Sequence, residues 1–125
     1  MNFSKIMERV TISFLNAWAK RDFELMSTYF TKDVEFESPN VSKIFPDLVS
    51  NKLKGADKLT EYFLQFSTHA PDFNFDLSRT TFNKDENKMV MHGHLDNTDI
   101  EIDSNFQFNE YGKFLFISIN YPNNK

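Results

Sequence analysis

The apolar residues of this chain repeat with two different periods, and the change falls near residue 73. Before it they recur at helical spacing. From Ser4 to Lys20, Ile6, Val10, Phe14 and Trp18 stand four apart, with Met7 and Ala17 beside them. That draws one apolar stripe along an amphipathic helix. Arg21-Asp22 breaks it, and Asp22 can cap a second short helix that carries Phe23, Met26 and Phe30 inward. Val34-Glu35-Phe36-Glu37-Ser38 alternates and stops at Pro39, as a strand does. Asn40 to Leu53 reads as an irregular loop. A third helix runs from about Ala56 to His69. Asp57 lies in its first turn, Leu59, Tyr62, Phe63 and Phe66 form its face, and Pro71 follows its end.

From Phe73 onward the period is two. Phe73, Phe75 and Leu77 alternate with Asn74, Asp76 and Ser78. Polar turns at Asn83–Lys88, Asp96–Asp99 and Asn109–Gly112 separate three further strands. The last turn puts Gly112 where a left-handed residue closes a type I hairpin turn. Helices first and a meander of strands after define an α+β chain, one antiparallel sheet packed against helices. No repeat or linker divides it, so residues 1–125 form one domain.

Composition narrows the function classes. At 125 residues the chain can bury a core but cannot form an α/β barrel. It has no cysteine, which excludes a disulfide framework, a thiolate metal site and a thiol nucleophile. No apolar run approaches the roughly 20 residues of a membrane span, and Met1-Asn2-Phe3-Ser4-Lys5 does not open like a secretory signal. A cytoplasmic location, no membrane partner and no nucleic-acid partner are therefore expected. The net charge of −4 is interspersed, without the positive stripe that phosphates need. Only 3 Gly and no phosphate-loop motif leave no sign of a nucleotide cofactor, and no cofactor is expected. Phe is 15 of the aromatic residues, so the interior is largely aromatic and non-polar. Richness in Asn, Lys and Phe suits an AT-rich bacterial genome.

The strand Phe114-Leu115-Phe116-Ile117-Ser118-Ile119 is apolar on both faces. A half-solvated antiparallel strand would alternate. A second copy of the chain is the expected cover for the outer face, making a homodimer through the sheet. A strongly bent monomer is the alternative.

The order of elements resembles the nuclear transport factor 2-like superfamily, which includes ketosteroid isomerase and the SnoaL-like polyketide cyclases. The residues that carry the resemblance are Asp22-Phe23-Glu24-Leu25-Met26, Phe36-Glu37-Ser38-Pro39, Gly55-Ala56-Asp57-Lys58-Leu59 and Phe108-Asn109-Glu110-Tyr111-Gly112-Lys113. It implies a cone-shaped roll, a bent antiparallel sheet wrapped around three N-terminal helices with a pocket inside. Compared with ketosteroid isomerase, the general base falls at Ser38, the two oxyanion donors at Phe14 and Ser104, and two supporting tyrosines at Phe30 and Phe63. Every polar group of that site is changed. Proton transfer beside a carbonyl needs a tuned base and aimed donors, so that activity is not implied here.

The resemblance further implies that one face of each element lines the pocket. Alternation assigns Phe36 and Ser38, Met89 and Met91, Ile102, Ser104 and Phe106, then Ile117, Ile119 and Tyr121; the helices add Phe14, Trp18, Tyr62 and Phe63. The lining is apolar, with two hydroxyls, a phenol and an indole N–H. It suits a small hydrophobic ligand held by one or two hydrogen bonds, with any reaction of isomerase, cyclase or dehydratase type. The same side chains could instead fill the cone of a non-catalytic homodimeric interaction module, which Phe114 and Phe116 on the outer face would serve.

His92-Gly93-His94 is the remaining cluster. With Asn97-Thr98 at the hairpin tip, His92 lies opposite Asp103 and His94 opposite Glu101. Two His and a carboxylate could form a metal site or an acid/base pair. If Ser104 faces the pocket, parity turns all four outward, and no third metal ligand is fixed by spacing. His69, at the end of the third helix, is a capping cation by default.

Overall fold

The structure is a computed structural model that describes residues 3–48, 50–68, 73–83, 85–95 and 99–122. Helix α1 spans Phe3–Ala19 and α2 spans Phe23–Ser27; β1 is Phe30–Glu37. Then come α3 at Val41–Ile44, β2 at Lys52–Lys54 and α4 at Ala56–Phe66. Strands β3 (Phe73–Asn83), β4 (Lys88–Leu95), β5 (Glu101–Phe108) and β6 (Phe114–Asn120) complete the chain. No helix among the described residues is long and apolar enough to cross a membrane.

Local chemistry sets most boundaries. Arg21 turns left-handed at φ 56 after α1, and the Asp22 carboxylate accepts the Leu25 N–H at 3.1 Å to cap α2. Met7, Phe14, Ala17 and Trp18 of α1 are buried, and so is Thr11, whose hydroxyl donates to the Met7 carbonyl at 2.8 Å. At the β5–β6 turn the Asn109 side chain accepts from the Tyr111 and Lys113 N–H groups, and Gly112 has φ +80. A Cβ at Gly112 would lie 3.3 Å from Ile6, so the turn is pressed onto α1.

The six strands form one curved, open sheet in the order β2-β1-β6-β5-β4-β3. The pairs are antiparallel except β1 with β6, which is parallel. The α+β cone is thus the fold, with its closing pair parallel because the rest of the chain intervenes between β1 and β6. Helix α4 packs against α2 and β1 inside the curve.

Three local expectations are corrected. Phe30 starts β1 rather than facing inward from a helix, although it is buried at 4% exposure. The stretch from Asn40 to Leu53 is not all loop: it holds the single turn α3, a fourth helix, and β2, which pairs with β1. Phe114 does not face outward. Gln107 pairs with Phe116 and Phe108 with Phe114, so one step along β5 faces two along β6. This bulge makes Leu115 the extra residue and returns Phe114 to the inner face. Phe114 is fully buried, while Leu115 is 39% exposed.

Truncating Phe114 to Ala is expected to cost about 3–5 kcal/mol in denaturant unfolding, and Leu115→Ala less than about 1 kcal/mol. Strict alternation along β6 demands the reverse order.

Candidate functional site

The inner face of the sheet, α1 and α4 enclose a cavity of about 50 Å³. That is more than the roughly 10–15 Å³ one water needs and far below the ~300–1,000 Å³ of a drug-sized site. Rings occupy most of the cone. Helix α1 supplies Phe14, Leu15 and Trp18, and α4 supplies Tyr62, Phe63 and Phe66. Phe36, Ser38 and Asn40 follow one another at period two through the end of β1. Ile102, Ser104 and Phe106 come from β5, and Ile117, Ile119 and Tyr121 from β6 and its end.

Burial gives the cavity a floor and a mouth. Phe36, Ser38, Ile102, Ser104, Phe106 and Ile117 are buried. Leu15, Asn40, Phe66, Ile119 and Tyr121 are partly exposed and mark the mouth. Met89 and Met91 are also buried at 1% exposure, but they pack in the core beyond the cavity wall. The other residues assigned to the pocket from the sequence line this space. Three lining residues escaped that reading. Leu15 stands four after buried Thr11, and Phe66 lies on the α4 face. Asn40 would have been found by carrying the alternation of β1 past Pro39.

Polar groups gather at one end. The Asn40 backbone N–H donates to the Ser38 hydroxyl at 3.3 Å, and its side-chain amide donates to the Tyr121 phenol at 2.8 Å. Ser38 lies within hydrogen-bonding reach of the Tyr62 phenol. Burial pushes the Tyr62 pKa well above the ordinary phenol range; the Ser38 hydrogen bond opposes this and nearby Tyr121 adds to it. Burial also raises Tyr121, against the hydrogen bond from Asn40. Both phenols therefore stay neutral donors at physiological pH. Ser104 stands apart on the β5 wall. It is 1% exposed and lines the cavity. None of the fifteen lining residues is Asp, Glu, His, Lys or Arg.

Trp18 closes one side. Its ring stacks with Phe66 at 6.2 Å, and the Arg21 guanidinium sits 4.2 Å from its centroid on the ring face.

The histidine cluster is elsewhere. His92 pairs with Asp103 and His94 with Glu101 across β4 and β5. Since Ser104 and Ile102 point inward, these four residues lie on the outer face. His92 Nδ1 is 2.6 Å from the Asp103 carboxylate, both side chains about a quarter exposed at 27% and 28%. His94 is exposed. Among the described residues no three His, Asp or Glu side chains converge as a metal would require. His69 lies outside the described residues.

Residues 12–112 match the SnoaL-like domain family. The chain belongs to that family. No curated protein matches its sequence. Solved structures similar to this SnoaL-like chain include a SnoaL-like protein of unknown function from Burkholderia thailandensis. It is 16% identical, covers 94% of this chain and 95% of its own, and has a TM-score of 0.74. An NTF2-like protein of unknown function from Burkholderia pseudomallei is 14% identical, covering 97% of this chain and 92% of its own with a TM-score of 0.70. A steroid delta-isomerase from Pseudomonas aeruginosa is 15% identical, covering 91% and 77% respectively with a TM-score of 0.67. At these identities the likeness shows the fold alone.

The buried phenol sets a pH dependence. A phenol whose pKa is raised by folding holds its proton more tightly in the folded state. Its contribution is present in full below the unfolded value of about 10 and is lost as pH rises beyond it. Urea unfolding of the SnoaL-like chain between about pH 9 and pH 11.5 is expected to show stability falling with pH. Tyr62→Phe should flatten that fall; an equally steep fall in the variant would assign it to another group.

Proposed function

We propose that this SnoaL-like protein binds a small, neutral, mostly apolar molecule in its cone, in the cytoplasm of the cell. The observation that carries this reading is the cavity itself, walled by rings, with the 1%-exposed Ser104 and the Ser38, Asn40 and Tyr121 group among its lining residues. A ligand oxygen or a trapped water would find hydrogen-bonding groups there. Any chemistry at the site would be of the isomerase, cyclase or dehydratase type. Ser38, Ser104 and Tyr121 would be its polar contacts, joined by Asn40 and Tyr62. Among the described residues no carboxylate or imidazole lines the cavity to take a proton, so steroid isomerisation does not follow from the fold.

Two outcomes test the reading. Ser104→Leu should abolish saturable binding of cyclopentanone, followed by the indole N–H resonance of Trp18, while thermal unfolding stays cooperative. Undiminished affinity would remove the cavity from the function. The unmutated protein should also fail to convert a β,γ-unsaturated steroid ketone above the uncatalysed rate. Conversion would reveal a base outside the described lining.

A second reading, a non-catalytic homodimeric interaction module, is favoured by one observation. Leu115 is 39% exposed on β6, and Phe116 is only partly buried. Light scattering separates the two: a monomer with no partner would sink the module, and a dimer dissociated by Leu115→Glu would support it.

A further inference from the structure

We propose that Tyr121, held by Asn40, is the specificity-determining donor of this cavity: it selects a neutral ligand carrying a hydrogen-bond acceptor over a hydrocarbon or an anion of the same shape. The inference rests on the cone being a ligand site and names what that site takes. Tyr121 and Asn40 stand 81 positions apart in the chain and meet at the mouth. The Asn40 amide donates to the phenol oxygen at 2.8 Å, which occupies the oxygen as acceptor and turns the phenolic proton elsewhere. The Tyr121 ring lines the cavity, so a ligand there can meet the phenolic proton. A hydroxyl that already accepts one hydrogen bond is a stronger donor for the next.

Asn40 organises the whole polar end. Its backbone N–H binds Ser38 while its side chain binds Tyr121. Tyr62 is buried at 2% exposure. Tyr121, partly exposed at the mouth and held by Asn40, is the phenol placed to address a ligand. Ser104 pairs with Ile119, two residues before Tyr121. The two hydroxyl-bearing residues are therefore diagonal neighbours, with backbones about 7–8 Å apart, a span suited to one small ring with an oxygen at its edge. Among the described residues no cation lines the space, so an anion entering it would give up its hydration without a counter-charge from them. A hydrocarbon would leave the Tyr121 donor unpaired. Asn40 touches the ligand only through Tyr121 and is a positioning residue.

The test uses three probes of one shape: cyclopentanone, methylenecyclopentane and cyclopentanecarboxylate. Each is titrated into ¹⁵N-labelled protein and read from the single indole N–H resonance, since Trp18 is the only tryptophan. Cyclopentanone should bind about three- to tenfold more tightly than methylenecyclopentane, the size of one net hydrogen bond. The carboxylate should bind most weakly. Tyr121→Phe should bring cyclopentanone down to the hydrocarbon's affinity and leave the hydrocarbon's own affinity in place. Asn40→Asp should do the same, because its carboxylate takes the phenolic proton for itself. A purely structural role for either residue would weaken both probes together and overturn the proposal. Equal binding of ketone and hydrocarbon by the unmutated protein would also overturn it, while keeping the cone as a ligand site. So would a carboxylate that binds as tightly as the ketone, or a preference that survives Tyr121→Phe. No saturable shift with any probe would overturn the ligand-site reading as well.

Discussion

The ring of Phe14 is the interaction on which the cone depends. It meets Phe30 of β1 at 5.7 Å, Phe63 of α4 at 5.9 Å and Phe114 of β6 at 5.1 Å, each edge to face. One side chain on α1 thereby joins the helical layer to both strands of the parallel pair. Phe36 continues the cluster through Phe63 at 5.6 Å and Tyr62 at 4.9 Å. Edge-to-face rings gain electrostatic attraction beyond burial, and their fixed geometry leaves few ways to repack. The cost is space. A cone closed by phenylalanines keeps only about 50 Å³ open, and the open part lies where the rings give way to Ser38, Asn40 and Tyr121.

The bulge at Leu115 is the second constraint, and it serves the first. Without it Phe114 would point to the outer face and Phe14 would lose a ring neighbour. With it, Phe114 also reaches Phe106 at 5.2 Å and Phe108 at 5.0 Å. The same shift leaves Ile117, Ile119 and Tyr121 in phase along the inner face. The cavity wall and the packed end of the cone are thus set by a single irregularity in β6.

The chemistry of the two sheet faces divides cleanly. Inside are neutral donors and rings; outside are His92 with Asp103 and His94 opposite Glu101. A partly exposed cross-strand pair contributes little to stability, and the histidines lie on the face away from the cavity. Among the described residues, the polarity of the site in this SnoaL-like fold comes from hydroxyl, amide and phenol groups, and no carboxylate or imidazole lines it.

Much of this was legible in the residues themselves. The switch of period from helical to alternating, the Asp22 cap and the left-handed Gly112 are local effects, decided within a turn or two of chain. Strand parity then sufficed to put Ser104 inside and His92 outside, because alternation holds along β5 without interruption. It failed on β6, where the bulge depends on how two strands and a helix meet. It also stopped short at Pro39, although Asn40 continues the inner face of β1. The hydrogen bond from Asn40 to Tyr121 joins residues 81 positions apart, beyond the reach of any periodicity. The sequence by itself therefore determined the elements, their order and the apolar character of the interior. Only the tertiary structure decided how much of the cone stays open and that Asn40 meets Tyr121. Volume and hydrogen-bond direction depend on side chains brought together by folding, and no local pattern encodes them.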